Sequence, residues 1–191
     1  MDKRRFLAAG AATAATPLLA SARSPILRGP ALLTLTGAIA QANRGPLDPA
    51  LDQMMHKHKL SFERGYTFDW DALTALPAMS IRPALEYDGK AHTLSGPLLL
   101  EVLARAGARI KEETQVVLRA VDGYAATLPA AQIRARRFIV ATHLDGKAMP
   151  LGGLGPLWAV YEPERVPDMA ARPLAERFAQ CPWALYHIEV Q

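Results

Sequence analysis

The sequence predicts an α+β fold, a single mixed-sheet domain whose helices are inserted between strands. Half of the 191 residues are hydrophobic, which is enough apolar side chain for one sizeable core at this length. The 13 glycines and 15 prolines indicate many turns, as in β-containing folds rather than helical bundles. Short β-prone runs alternate with a few stretches of helical spacing.

The first 22 residues have the order of a secretory signal peptide. Basic residues 3–5 precede an alanine-rich apolar run over residues 6–20, and Ala-Ser-Ala at 20–22 is a small-residue cleavage site. The Lys-Arg-Arg-Phe-Leu stretch also resembles a twin-arginine signal, which leaves the export route open. We therefore expect a periplasmic protein whose mature domain covers residues 23–191.

Charge and cysteine content exclude several functional classes. The net charge of +4 is modest and dispersed, which argues against a nucleic-acid partner. The single cysteine, Cys181, excludes an intrachain disulfide and a thiolate cluster for zinc or iron–sulfur. Beyond the leader, no segment has the uninterrupted apolar length of a membrane-spanning helix.

The N-terminal half predicts strands and helices in alternation. Residues 31–39 alternate as a strand that ends at Gly37, and residues 47–60 have helical spacing with Asp48 as the N-cap. Asp69 is the N-cap of a further helix. The other elements of this half are a strand at 66–68, that helix at 70–76, a hairpin over 79–94 that turns at Asp88-Gly89, and a helix at 98–106 that ends at Gly107.

The C-terminal half is richer in strands. Asp122-Gly123-Tyr124 and Asp145-Gly146 have the composition of β-turns. Residues 129–132 begin a helical turn, and the polar, proline-interrupted residues 162–173 predict a surface excursion. The strands expected here are 115–121, 125–128, 137–142, 157–161 and 183–190.

Local motifs for catalysis are absent. The sequence contains no P-loop, nucleophile elbow or zinc-protease motif. His56 and His58 lie two residues apart on a predicted helix and so face different sides, which disfavours joint metal ligation. The arginines at 134, 136 and 137 favour a solvated strand entry, with an anion site as the alternative.

A glycine-rich loop at 152–156 precedes Trp158. Glycine lets the backbone approach a ligand closely, and the adjacent aromatic ring provides a face for a flat heterocycle. A plain connecting loop with Trp158 in the core is the alternative, and composition alone favours neither.

Several segments occur in a specific order along the chain. They are Leu33 to Ile39, Leu94-Ser95-Gly96-Pro97-Leu98, Asp122-Gly123-Tyr124, residues 138–150 with Asp145-Gly146 and Pro150, Gly153-Leu154-Gly155-Pro156-Leu157, and Trp183 with Ile188-Glu189-Val190. This set resembles the molybdopterin-binding domain of the sulfite oxidase fold, and the upstream segments resemble its small, stand-alone bacterial members.

Departures from the family decide which activity the resemblance implies. Catalytic members bind molybdenum through a cysteine, and the corresponding residues 80–85 contain none. Trp158 and Pro182 stand where the family has an arginine and a lysine for the cofactor phosphate. The resemblance therefore implies the molybdenum-free, PruR-like branch, whose members bind a reduced pterin and pass its status to a membrane-anchored signalling protein with GGDEF/EAL-type cyclic-di-GMP turnover domains.

The resemblance also implies a non-catalytic ligand site. Asp122 and Asp145 are the expected acceptors for the pterin's amino and ring N–H groups, because a carboxylate accepts two donors at once. Tyr124 and Trp158 are the expected stacking faces, and Arg82 meets the pterin carbonyl or a side-chain hydroxyl. The ligand-binding set is completed by His143 and Gly155.

Some alternatives remain open at this point. A molybdopterin-dependent oxidoreductase of the sulfite oxidase family keeps the same fold, and an exported adaptor without a ligand keeps the same leader. The sequence also leaves open whether Tyr87, His92 or His143 faces a pocket, and a satisfied interior histidine is the simpler reading of His143.

Overall fold

The computed structural model describes residues 27–191, so the predicted signal peptide lies outside the described residues. Within that range the strands are β1 Leu33–Gly37, β2 Tyr66–Phe68, β3 Ala78–Ile81, β4 Leu94–Pro97, β5 Gln115–Ala120, β6 Ala125–Pro129, β7 Ile139–Ala141, β8 His143–Leu144, β9 Lys147–Ala148, β10 Trp158–Val160 and β11 Leu185–Val190. The helices are α1 Gln53–Lys57, α2 Trp70–Thr74, α3 Leu99–Arg105, α4 Ala130–Arg136 and α5 Pro167–Ala170, with 3₁₀ turns at Pro163–Arg165 and Leu174–Glu176. Among these helices, none is long and apolar enough to span a bilayer.

The main sheet has five strands in the order β2-β1-β11-β5-β6. β11, the last strand in the chain, lies between β1 and β5, and it runs parallel to β1 with Thr34 opposite His187. The remaining pairs of this sheet are antiparallel. This mixed sheet, with helices between strands, confirms the α+β fold class.

A second layer consists of the antiparallel sheet β3-β4-β8-β9 and the pair β10-β7. Strand β4 passes directly against β7, since a Cβ atom built on Gly96 would lie 1.9 Å from the Val140 carbonyl oxygen. Only glycine permits this backbone approach. The core between the layers contains large, fully buried side chains that include Trp158, Tyr161 and Phe138.

Two predicted elements are shorter than expected. The helix over 47–60 is reduced to α1, because the Asp48 carboxylate accepts from the backbone N–H groups of Ala50 and Leu51 in a tight turn. The extended run from 79 ends at Ile81, two residues before Pro83, which has no N–H to donate to a strand partner.

Two other segments contain helical structure that the sequence did not predict. Arg134 and Arg136 lie in α4, and Arg137 is its C-cap, so the basic triplet ends a helix rather than entering a strand. Alanine and arginine are good helix formers, which favours this outcome. The polar residues 162–173 are mostly exposed, which confirms the predicted surface excursion. They also form the 3₁₀ turn and α5, and they bury Met169 against the core.

Candidate functional site

A well-formed concavity lies at one end of the main sheet. It measures about 390 Å³ and is bounded by the loop after β3, the turn between β5 and β6, and the segment before β11. We call it the aromatic cavity; its lining is Glu86, Tyr87, Ala120, Asp122, Tyr124, Phe178, Ala179, Cys181, Pro182 and Trp183. Its volume lies within the range of small-molecule sites.

Three large rings at the aromatic cavity remain accessible to a ligand. Tyr87 is 57% exposed, Tyr124 46% and Trp183 38%, whereas the other aromatic side chains of comparable size are mostly inside the protein. Exposed aromatic rings cluster at binding sites, because they offer a large apolar face at a small cost in conformational entropy. The cavity therefore suits a flat, aromatic ligand.

Local hydrogen bonds hold the walls of this cavity. The Asp122 carboxylate accepts from the Tyr124 backbone N–H at 2.9 Å and closes the turn between β5 and β6. The Tyr124 hydroxyl donates to the Ala179 carbonyl, which ties this turn to the segment before β11. Trp183 forms a β-bridge with Trp158, so its backbone is anchored to the core while its ring stays at the surface. The Tyr124 ring and the Trp183 backbone are thus held in place by the protein itself.

The aromatic cavity carries negative charge. Glu86 and Asp122 line it, and its lining contains no lysine or arginine. Burial raises the pKa of the Tyr87 phenol, and the neighbouring Glu86 carboxylate raises it further, so this hydroxyl stays a neutral donor. Burial also raises the pKa of the Cys181 thiol, which favours the protonated form. The cavity suits a neutral or cationic ligand that presents N–H donors.

Of the residues predicted to bind a ligand, Asp122 and Tyr124 lie together at the aromatic cavity. Trp158 is 0% exposed, its indole N–H donates to the Cys181 carbonyl at 2.9 Å, and its ring packs 5.7 Å from that of Phe178. Stacking on a ligand needs an exposed ring face, which Trp158 lacks and Trp183 has. Trp158 instead supports the wall of the cavity from behind.

Asp145 and His143 lie at a different place, on the β8–β9 hairpin. The Asp145 carboxylate is 2.7 Å from Nδ1 of His92 and accepts from the Thr93 backbone N–H at 2.9 Å. The His143 ring packs 5.3 Å from that of Trp70 and is partly buried. Neither residue lines the aromatic cavity. Asp145 is nevertheless linked to it, because His92 also contacts Asp88, next to Tyr87.

Arg82 and Gly155 also lie outside the lining of the aromatic cavity. Arg82 is an exposed residue just beyond β3. Gly155 is buried, and a Cβ atom there would lie 2.4 Å from the Met149 Cβ and 2.5 Å from its carbonyl oxygen. The glycine is therefore required by packing against Met149.

His56 and His58 are separated as the spacing predicted. His56 is exposed on α1, whereas Nδ1 of His58 lies 2.7 Å from the Tyr186 hydroxyl. Across residues 27–191, no group of three or more histidine, cysteine, aspartate or glutamate side chains is placed to hold a metal ion.

Sequence reasoning missed Glu86 and Trp183 and left Tyr87 undecided. Tyr87 directly precedes the Asp88-Gly89 turn, and Trp183 follows Pro182 at the entry to β11. A large aromatic residue beside a turn or proline has fewer buried neighbours than one inside a strand, so this position was a usable signal. That Tyr87 and Trp183 come together at one cavity depends on the tertiary fold, and no local sequence pattern indicates it.

No family model matches the sequence, and no curated protein matches it either. Among solved structures, the sulfane dehydrogenase SoxCD from Paracoccus pantotrophus is similar, with a TM-score of 0.54 and 11% identity. The match covers 83% of this chain and 37% of the SoxCD chain, so the protein spans well under half the length of that relative. The likeness supports the sulfite oxidase type of fold. At this identity it shows the fold alone.

Proposed function

We propose that the protein is a periplasmic, non-catalytic pterin-binding protein that relays pterin status to a membrane-anchored signalling protein of the GGDEF/EAL, cyclic-di-GMP type. The observation that carries the binding part is the aromatic cavity, whose lining includes three exposed rings and two carboxylates. The partner and the location rest on the resemblance to small exported proteins and on the leader-like first 22 residues.

The chemistry of a reduced pterin matches this lining. Its bicyclic ring offers a flat face to Trp183 and the tyrosines, and base-like stacking of this kind contributes about 1–3 kcal/mol. Its amino and ring N–H groups would be met by the carboxylates of Glu86 and Asp122, in charge-assisted bonds. Both kinds of contact are available at one cavity, without a phosphate-binding group.

A molybdopterin-dependent oxidoreductase is the second candidate, because the similar solved structure is a dehydrogenase. The aromatic cavity does not fit molybdopterin. The phosphate of that cofactor needs basic partners, whereas the lining has two acids and no cation. The Cys181 thiol is held protonated by burial, and a metal ligand must be a thiolate. A plain pterin is therefore the better match.

Binding can be tested by anaerobic titration of the purified, exported protein with tetrahydrobiopterin, followed by calorimetry. We expect saturable one-to-one binding that Trp183→Ala weakens by about 1–3 kcal/mol. Trp70→Ala is the matched control, since Trp70 packs on His143 away from the aromatic cavity. Absence of binding by the folded wild-type protein would leave the ligand-free adaptor, and equal losses in both variants would place the ligand elsewhere.

The signalling part needs a cellular readout. Cellular cyclic-di-GMP should change when the gene is deleted, and restoring wild-type protein should reverse that change. Complementation with Trp183→Ala should fail, whereas complementation with Trp70→Ala should succeed. If cyclic-di-GMP is the same in all five strains, the protein does not act through this second messenger.

A further inference from the structure

A second concavity lies on another part of the surface and shares no lining residue with the aromatic cavity. It measures about 290 Å³ and is formed by β3, the end of α4 and the 3₁₀ turn at Pro163–Arg165. We call it the basic cavity, after its charged residues Arg136, Arg137, Arg165 and Glu162. Three cations against one acid leave it with a positive balance.

Two of the three arginines are already held in place. Nη1 of Arg136 donates to the Gln180 side-chain oxygen at 2.9 Å, and its guanidinium lies over the Tyr161 ring at 5.3 Å. Nε of Arg165 lies 2.8 Å from the Glu162 carboxylate. Nη2 of Arg136 also lies 3.6 Å from the Asp168 carboxylate, so each of these two guanidinium groups has an acidic partner that orients it.

Arg137 is different, because it forms no ion pair with any described residue. Its one side-chain contact is to the thioether sulfur of Met79, a weak acceptor. Its backbone has φ +54°, in the left-handed region where a helix C-cap normally has glycine or asparagine. Arginine is not a residue that this cap position favours, and its presence there brings an unpaired guanidinium group to the cavity.

We propose that the basic cavity binds a small divalent oxyanion, the phosphate group of a soluble compound or of a lipid headgroup. The planar fork of arginine matches phosphate oxygens in pairs, and Ser80, which also lines the cavity, has a hydroxyl that can donate as well. A cavity of about 290 Å³ holds one phosphate with a small organic part. The site is independent of pterin binding.

Arg137 offers an unusually clean test. Arg137→Gly removes the guanidinium and installs the residue that the left-handed cap prefers, so the variant should fold at least as well as the wild type. Arg134→Ala is the matched control, because Arg134 lies on the same helix but pairs with Glu112 and does not line the cavity. Both variants lose one positive charge, so a nonspecific charge effect would weaken binding equally.

Calorimetric titration with inorganic pyrophosphate should show saturable binding to the wild-type protein. We expect Arg137→Gly to weaken it roughly tenfold or more, with Arg134→Ala close to wild type. A second arm uses sedimentation with phosphatidylcholine vesicles, with and without phosphatidic acid. Binding of pyrophosphate supports a soluble phosphate, and Arg137-dependent binding only to the phosphatidic acid vesicles supports a lipid headgroup. No binding in either arm, or equal weakening in both variants, would overturn the proposal.

Discussion

The two cavities have opposite chemistry although one segment of the chain helps to build both. The aromatic cavity has three exposed rings and two acids, whereas the basic cavity has three arginines, one acid and no aromatic ring. Both take a wall from the connection between β10 and β11, the first from residues 178–183 and the second from residues 162–166. The β-strands thus provide a common frame, and a single long connection sets the ligand chemistry at two places on it.

Substitutions of Trp158 and Trp183 should show the largest difference between a residue of the frame and a residue of the site. Trp158→Ala should lower the free energy of unfolding by roughly 3–5 kcal/mol, because it leaves a large cavity in the core. Trp183→Ala removes a surface ring and should lower it by much less. Urea denaturation of both variants measures the difference. Similar losses in the two would mean that Trp183 also belongs to the core.

His187 on β11 gives the frame a pH dependence that neither cavity shares. Burial, with a contribution from Arg119, lowers the pKa of His187 from 6.5 to about 4. The folded state therefore binds fewer protons than the unfolded state between these values, and stability falls as the pH falls from 6.5 to about 4. The shift amounts to roughly 3 kcal/mol. Ligand affinities at the two cavities should therefore be compared above this window.

Urea denaturation across that pH range tests the assignment to His187. The exposed His56 provides the control, and His56→Gln should lose as much stability as the wild type when the pH falls through this range. His187→Gln should flatten the curve between pH 6.5 and about 4, whatever its stability at neutral pH. An acid loss of the same size in His187→Gln would assign the effect to other groups.

The frame was more predictable from the sequence than the site. The strand at 66–68, the Asp69 cap and the end of a helix at Gly107 depend on local propensities, and the structure confirms them. Trp158 and Trp183 look equivalent in the sequence, and only the packing of β10 against Phe178 buries one and not the other. Burial depends on contacts distant in the chain, which no local pattern reports.

An isosteric change that removes the negative charge of Asp122 should weaken pterin binding at the aromatic cavity selectively. Asp122→Asn keeps an oxygen for the Tyr124 backbone N–H but removes the carboxylate from a pterin's donors. We expect about 1.5 kcal/mol weaker binding of tetrahydrobiopterin, roughly tenfold, with pyrophosphate binding at the basic cavity unchanged. Glu113→Gln is the control, an exposed acid outside both linings. Loss at both cavities would mean that the two sites are coupled.

His92 should give the smallest effect, and it bears on how the aromatic cavity holds its loop. Its ring nitrogens lie 2.7 Å from Asp145 and 2.9 Å from Asp88, the residue after Tyr87. Hydrogen bonds to Asp145 and Asp88 raise the pKa of His92 above 6.5. The bond with His92 lowers the pKa of the Asp145 carboxyl, and hydrogen bonds from the Lys90 backbone N–H and with His92 lower the pKa of the Asp88 carboxyl.

The direction of each pKa shift determines the pH range in which the hydrogen bonds of His92 with Asp88 and Asp145 are fully formed. The contribution of His92 is fully present below pH 6.5 and is lost as the pH rises through its raised pKa, because neutral imidazole has one N–H donor for two acceptors. The contribution of the carboxyls is present above pH 3.8 and is lost in acid. The Tyr87 loop is therefore held best between these two values.

Pterin affinity should consequently decline by less than tenfold as the pH rises from about 6.5 through the raised pKa of His92. His92→Ala should bind pterin more weakly than wild type at the lower pH and should lack the decline. Lys147→Ala is the control, on the β8–β9 hairpin that carries Asp145. The lining of the basic cavity contains no histidine, so binding of sulfate, a divalent oxyanion whose own charge is constant in this range, should not change with pH there. A decline that persists in His92→Ala would place the titrating group on the ligand instead of the loop.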